Sequence, residues 1–242
     1  QIIYTYTNTN TKNTKMTPKI RIGVLALQGG FIEHVNMTRS VADDIECVEL
    51  RSTKQIREFN PHGLILPGGE STAMAIIAAQ DPELFALIRD LVHDKGVSIW
   101  GTCAGCIMLS DNVERQKQGG INHIISSQTL IGGMDLNISR NYFGRQINSF
   151  ETTLQLKLDG ANNVDFEGVF IRAPAILKVN NPDIEVLGEF RHQKKDNTSE
   201  TIITAVKYKN MIATVFHPEL TKDNRFHQYF VGVVRQNAAK LI

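Results

Sequence analysis

The chain has 242 residues, of which 42% are hydrophobic and 21% are charged, and its formal net charge is +1. This size suits one well-buried domain, and the near-neutral charge without a long basic run gives no indication of nucleic acid or an anionic membrane as a partner. No apolar run approaches the roughly 20 residues that cross a bilayer, and three cysteines, few and odd in number, argue against a disulfide scaffold and favour a reducing, cytoplasmic location.

The chain begins with the low-complexity segment QIIYTYTNTNTKNTK, which is rich in Thr, Asn and Lys and has no hydrophobic periodicity. Such a segment cannot bury enough apolar surface to fold, so we expect residues 1–18 to be a disordered tail. We expect residues 19–242 to form a single domain, because the sequence contains neither an internal repeat nor a second domain boundary.

Short apolar runs and helical patterns alternate from residue 20 onwards. The apolar runs predict buried strands at 20–27, 45–50, 63–69 and 97–102. The segments between and after them predict helices at 31–42, 55–59, 71–79, 82–94 and 104–113. This alternation predicts an α/β fold with a mainly parallel central sheet flanked by helices.

The pattern changes after about residue 114. The Gly- and Ser-rich segment 116–133 predicts a loop that contains a strand, and the polar segment 191–200 predicts a hairpin loop. Strands are expected at 152–158, 168–174, 184–190, 201–208 and 211–217. An amphipathic helix is expected to close the chain at 224–240.

The stretch WGTCAGC (100–106) lies between a predicted strand and a predicted helix. Cys103 has a glycine two residues away on either side, which is the arrangement of a nucleophile elbow, a sharp turn that holds a reactive side chain at the carboxyl edge of the sheet. The glycines relieve crowding around the strained turn, and the helix N-terminus favours a thiolate. This pattern favours Cys103 as a nucleophile.

Three other interpretations of these cysteines remain open. The C-x-x-C spacing of Cys103 and Cys106 is typical of a redox pair, although that interpretation leaves the elbow glycines unexplained. A metal site would need more ligands than the sequence offers at suitable spacing, so we expect none. Both cysteines, like Cys47 in a predicted strand, could also be small apolar core residues.

A cysteine nucleophile needs a base and a group that orients the base. Most of the seven histidines lie on predicted helix faces or in polar loops, where solvation is the default. His217 differs, because it ends the apolar run MIATVF at the sheet edge where the elbow is expected. Glu219, two residues later, can accept a hydrogen bond from its imidazole. The alternative is a plain polar turn at the end of a strand.

The glycines of LPGGEST (66–72) follow another predicted strand, where their N–H groups could form an oxyanion hole. A phosphate-binding turn or a plain tight turn is the alternative, although the lysine of a P-loop is missing.

Six blocks together resemble the class I glutamine amidotransferases, and within them the glutaminase subunits of pyridoxal 5′-phosphate synthase. They cover about residues 20–230 in the family's order: LALQGG (25–30), LPGGEST (66–72), WGTCAG (100–105), RNYFGRQ (140–146), FIRAP (170–174) and FHPEL (216–220). The resemblance implies a three-layer α/β fold that needs no cofactor. It also implies an enzyme that hydrolyses L-glutamine to glutamate and ammonia.

The resemblance also implies the role of each site residue. Cys103 would attack the side-chain amide of glutamine, His217 would transfer the proton, and Glu219 would orient His217. The N–H groups of Gly69 and Ala104 would hold the oxyanion. The substrate would be positioned by Gly69, Glu70, Ser71, Arg140, Ile171 and Arg172.

The partner that the resemblance implies is a separate synthase subunit, a (β/α)₈ barrel that uses the ammonia to build pyridoxal 5′-phosphate within a large hetero-oligomer. Gln28 would lie near the interface with it. The competing hypothesis is a non-catalytic or redox-sensing member of the wider cysteine-elbow superfamily. Intact His217 and Glu219 argue against it, because such members need not keep this pair.

Overall fold

The computed structural model describes residues 19–115, 123–124, 129–140, 142–143, 149–158, 163–193 and 198–240. The predicted tail at 1–18 lies outside these residues, as do parts of the predicted loops at 116–133 and 191–200. None of the helices in the described ranges combines the length and apolar character that crossing a membrane requires.

Strands and helices alternate in the first half of the described chain, as the sequence predicts. The strands are β1 (Ile20–Leu25), β2 (Ile45–Leu50), β3 (Gly63–Leu66) and β4 (Ser98–Thr102). The helices are α1 (Phe31–Arg39), α2 (Thr53–Phe59), α3 (Ser71–Ala78), α4 (Leu84–Arg89), which a π-helical turn continues (Asp90–Asp94), and α5 (Ala104–Leu109). Every residue of β3 and β4 is buried, which explains why these strands appear in the sequence as continuous apolar runs.

The second half consists mostly of strands. They are β5 (Ser110–Arg115), β6 (His123–Ile124), β7 (Met134–Ser139), β8 (Ser149–Lys157), β9 (Asn163–Ile171), β10 (Ala175–Val179), β11 (Glu185–Gln193), β12 (Ser199–Tyr208) and β13 (Met211–Thr214). A 3₁₀ turn (Pro218–Leu220) and helix α6 (Arg225–Ala238) follow.

Several predicted boundaries from α5 onwards are wrong. The helix expected at 104–113 ends at Leu109, and Ser110 begins β5, which pairs in parallel with β7. Neither β7 nor β10 was expected from the sequence. The loop expected at 191–200 is shorter, because β11 and β12 pair as far as Gln193 and Ser199. In each case pairing with distant strands overrides the local pattern.

The strands join into one sheet whose order is β2-β1-β3-β4-β13-β12-β10-β7-β5-β6. Off this path, β11 pairs with β12, β8 pairs with β11, and β9 pairs with β8. The five strands from β2 to β13 pair in parallel, and most of the others pair antiparallel. The α/β class with a central, mostly parallel sheet flanked by helices is thereby confirmed. In such a sheet, ligands bind beyond the carboxyl ends of the parallel strands.

Aromatic packing fixes the helices that lie next to the end of β4. Trp100 is fully buried, and its ring lies 4.9 Å from that of Phe226 and 5.5 Å from that of Phe230, both on α6. The same indole contacts the ring of His34 on α1 edge to face. The core therefore sets the positions of α1 and α6 beside the predicted nucleophile.

Candidate active site

Cys103 lies at the turn between β4 and α5, in a backbone conformation that non-glycine residues rarely adopt, with φ of 48° and ψ of −100°. The flanking glycines make the turn possible. A Cβ on Gly101 would lie 2.4 Å from the carbonyl oxygen of Gly105, and a Cβ on Gly105 would lie 2.1 Å from that of Leu66. The predicted elbow is therefore present as a strained turn that leaves no room for larger flanking residues.

His217 reaches the elbow because β13 runs in parallel beside β4, with Thr214 opposite Thr102. Three residues beyond that pair, the imidazole lies next to the Cys103 side chain, which raises the pKa of His217. The loop after β3 lies against both groups, since a Cβ on Gly68 would lie 2.3 Å from His217 Cε1 and 3.2 Å from Cys103 Cβ. Three adjacent parallel strands thus bring the thiol, the imidazole and the glycine loop together.

Glu219 lies on the 3₁₀ turn that Pro218 begins, and its carboxylate faces His217. His217 Nδ1 is 2.8 Å from Glu219 Oε1, and both side chains are buried. An ionised carboxylate only accepts hydrogen bonds, so Nδ1 donates and the other ring nitrogen is left to serve the thiol. The turn expected from HPE thus orients the imidazole, as a catalytic dyad requires.

The surroundings of His217 and Glu219 shift the pKa values of both groups. Burial by itself lowers the pKa of His217, but its interactions with the neighbouring Cys103 and Glu219 side chains raise it to about 10. Burial raises the pKa of Glu219, but the nearby rings of His34 and His217 outweigh it and hold that pKa below its ordinary value. The surroundings of His217 therefore favour its protonated form, which the Glu219 carboxylate stabilises.

The glycine loop is held by the turn after β1. Gly30 N donates to Gly68 O over 3.1 Å, and Glu70 N donates to Gln28 Oε1 over 2.6 Å. Gly29 has φ of 97°, and a Cβ there would lie only 1.7 Å from Gly68 O. This hydrogen bond gives Gln28 a role inside the site that the sequence pattern does not predict.

Glu70 and Arg140 lie together beside α3. The Glu70 carboxylate caps this helix, accepting from Thr72 N at 3.1 Å and Ala73 N at 2.7 Å. Partial burial raises its pKa, but these hydrogen bonds and the charge of Arg140 lower it overall. Arg140 Nη1 donates to Thr72 Oγ1 over 3.1 Å. A carboxylate and a guanidinium are therefore held side by side, next to buried Ser71.

Ile171 and Arg172 approach the site along β9. His217 N donates to Val169 O over 2.8 Å, so the strand ends two residues past a direct backbone contact with His217. Ile171 is 41% exposed, and Arg172 has φ of 44°. These two residues form an exposed, strained rim near the imidazole.

The other two thiols are buried in the core. Burial raises the pKa of both Cys47, to about 12, and Cys106. All three cysteines are free. Within the part of the chain that the structure describes, no group of three or more His, Cys, Asp and Glu side chains could hold a metal ion.

The solvation that the sequence predicts for most of the histidines is wrong for two of them, which are completely buried. His34 and His227 are each 0% exposed, and His34 reaches Glu219. The available signal was the helical spacing of His34 with Thr38, one turn later, since both lie on the buried face of α1.

Comparison with known proteins places the chain among amidotransferases. The model of the SNO glutamine amidotransferase family matches residues 24–236. A Dictyostelium discoideum protein named probable pyridoxal 5′-phosphate synthase subunit pdx2 is 52% identical over 90% of this chain and 94% of its own. Its Arabidopsis thaliana namesake is 42% identical, over 89% and 86%.

Comparison with solved structures also finds glutamine amidotransferases. A crystal structure of a glutamine amidotransferase superposes with a TM-score of 0.71 at 32% identity, covering 88% of this chain and 98% of the other. A PurLQS structure from Thermotoga maritima, at 14% identity and a TM-score of 0.57, shares the fold over 90% of this chain and 99% of its own.

Proposed function

The chain belongs to the SNO glutamine amidotransferase family, and we propose on this premise that it is a glutaminase. It hydrolyses L-glutamine to glutamate and ammonia, and the ammonia serves pyridoxal 5′-phosphate synthesis by a synthase subunit. The single observation that carries the proposal is the contact of Cys103, on a strained elbow, with a buried imidazole whose Nδ1 lies 2.8 Å from Glu219.

The reaction follows from this geometry. His217 takes the proton of Cys103, and Sγ attacks the amide carbon of the glutamine side chain. As the carbon–nitrogen bond breaks, the imidazolium delivers its proton to the departing ammonia and leaves a γ-glutamyl thioester. Water, deprotonated by the same imidazole, then cleaves the carbon–sulfur bond, which releases glutamate and restores the thiol. Glu219 keeps its hydrogen bond to Nδ1 throughout.

The oxyanion of each tetrahedral intermediate is assigned to the N–H groups of Gly69 and Ala104. Ala104 begins α5 directly after the nucleophile, where the first N–H groups of a helix have no partner within it. Gly69 belongs to the loop that lies against Cys103 and His217 through Gly68. Fixed donors of this kind stabilise the developing charge without reorganising during the reaction.

The substrate's α-amino and α-carboxylate groups are assigned to the charged residues beside α3. The fork of Arg140 suits the carboxylate, because it can bind both oxygens, and Glu70 suits the ammonium. Ser71 begins α3 two residues after Gly69, and Ile171 and Arg172 bound the site from the end of β9.

The partner is proposed to be a (β/α)₈-barrel synthase subunit that binds this chain within a hetero-oligomer in the cytoplasm. Direct transfer keeps ammonia unprotonated and away from bulk water, which is the physical reason for the two subunits to dock. Residues 19–242 are proposed to act as one glutaminase domain.

The competing function is a redox sensor that uses the Cys103 and Cys106 pair. Complete burial of Cys106 among core side chains disfavours it, because a redox pair needs an accessible thiolate.

A pair of variants separates the two functions. Cys103→Ala should abolish glutamine hydrolysis, measured as glutamate release with the synthase partner present, since the thioester cannot form. Cys106→Ala is the matched control and should keep most of the activity. Equal losses from both substitutions would favour the redox pair.

A further inference from the structure

A pair of histidines lies next to Glu219. His34 on α1 and His227 on α6 are completely buried, and neither takes part in the steps described above. His34 Nδ1 lies 3.0 Å from His227 Nε2. Both rings also pack against Trp100, with centroids at 5.2 and 4.9 Å. The pair is therefore fixed in place by three packed elements.

His34 lies close to both the nucleophile elbow and the carboxylate of the proposed triad. Its Nε2 lies 3.1 Å from Thr102 Oγ1, on the residue before the nucleophile, and 3.3 Å from Glu219 Oε2. Oε1 of the same carboxylate is engaged by His217. Within the described ranges Oε2 has no hydrogen-bond partner, and the imidazole of His34 faces it at 3.3 Å.

The contacts determine which nitrogens carry protons. Burial lowers the pKa of both His34 and His227 and so favours the neutral form of each ring, which carries a single N–H. A lone pair of His34 Nε2 would repel the Glu219 carboxylate at 3.3 Å, whereas an N–H there attracts it. The proton therefore belongs on His34 Nε2, and His34 Nδ1 accepts from His227 Nε2–H.

We infer that His34 is a positioning residue for the Cys103–His217–Glu219 triad, and that His227 holds it in the Nε2–H tautomer. The N–H of His34 attracts the free oxygen of Glu219 and hydrogen-bonds Thr102, so it sets the carboxylate relative to the elbow. The inference rests on the proposed function, because the triad it supports is part of that proposal.

Two substitutions at His34 test whether the hydrogen-bond donor at its Nε2 position is needed for activity. His34→Leu fills the space without a donor and should lower kcat for glutamine hydrolysis by about 10- to 100-fold with little change in KM, by analogy with residues that orient the ligands of a catalytic metal. His34→Gln places an amide N–H at a similar reach and should recover most of the loss. His62→Gln is the control, because His62 precedes β3, at the end away from the glycine loop, and accepts a hydrogen bond from Arg21 N. Its kcat and KM should match those of the wild type.

Three outcomes would overturn the inference: unchanged kcat in the Leu variant, a loss confined to KM, or equal losses in the Leu and Gln variants. Inactivity of the wild-type chain with its synthase partner would instead refute the proposed function.

A measurement on the unsubstituted chain is independent of activity and of how the Leu variant folds. Long-range ¹⁵N–¹H correlation spectra of the imidazoles report the tautomer directly. The expected result is Nε2–H for both His34 and His227 at neutral pH. An Nδ1–H tautomer at His34 would overturn the inference even if the enzyme is fully active.

Discussion

Replacing Gly101 with Ala tests whether the elbow holds the nucleophile by close backbone packing. The added Cβ would lie 2.4 Å from the carbonyl oxygen of Gly105 and 2.8 Å from Cys106 N, against about 3.4 Å for an ordinary contact. Both neighbours are backbone atoms, so the start of α5 has to move by about 1 Å. Overpacking of this kind costs about 1–3 kcal/mol, and a 1 Å misplacement can lower the rate by about 100-fold.

The assay combines steady-state glutaminase kinetics with thermal unfolding. Gly101→Ala should lower kcat by about 100-fold and lower Tm, at about 2–4 °C per kcal/mol for a chain of this size. The matched control is Gly232→Ala in the middle of α6, where a Cβ meets no atom within 4 Å. There alanine should add about 0.5–1 kcal/mol of stability and leave kcat unchanged. A Gly101→Ala variant with wild-type kcat and Tm would refute the packing argument.

Two further predictions concern charges in the site. Folding raises the pKa of His217 from 6.5 to about 10, so its protonation stabilises the fold fully below pH 6.5, and this contribution is lost as pH rises through about 10. Glu219→Gln removes the carboxylate that stabilises the protonated imidazole, so it should lower Tm more at pH 6 than at pH 10. An equal drop in Tm at the two pH values would contradict this interaction between Glu219 and His217. Arg140→Lys should raise KM for glutamine about tenfold, because a lysine loses the bidentate fork, and leave kcat nearly unchanged; a loss confined to kcat would exclude a binding role.

The sequence was sufficient where local pattern and sheet geometry agree. Parallel strands buried on both faces are continuous apolar runs, so β1 to β4 were predictable. The carboxyl ends of such strands share one edge, so the approach of His217 to Cys103 followed from their positions after β13 and β4. The GxCxG spacing marks the strained turn because only glycine fits at its flanks.

Local sequence patterns could not predict features that depend on contacts between distant parts of the chain. AGCIMLSDNV fits a helical pattern, but Ser110 onward pairs with β7, about 25 residues later, and that pairing ends α5. The burial of His34 and His227 depends on α1 and α6 packing together around Trp100. The spacing of His34 and Thr38 places them on one face of α1, but only the assembled core shows that this face is buried.

Labelling the wild-type chain with a glutamine-mimicking diazo-ketone, followed by peptide mass mapping, tests the central claim most directly. The reagent alkylates the nucleophile only where the glutamine site aligns it with a reactive thiol. We predict one adduct, on Cys103, that excess glutamine prevents. An adduct on Cys106 or Cys47, or labelling of Cys103 that glutamine does not reduce, would contradict the assignment.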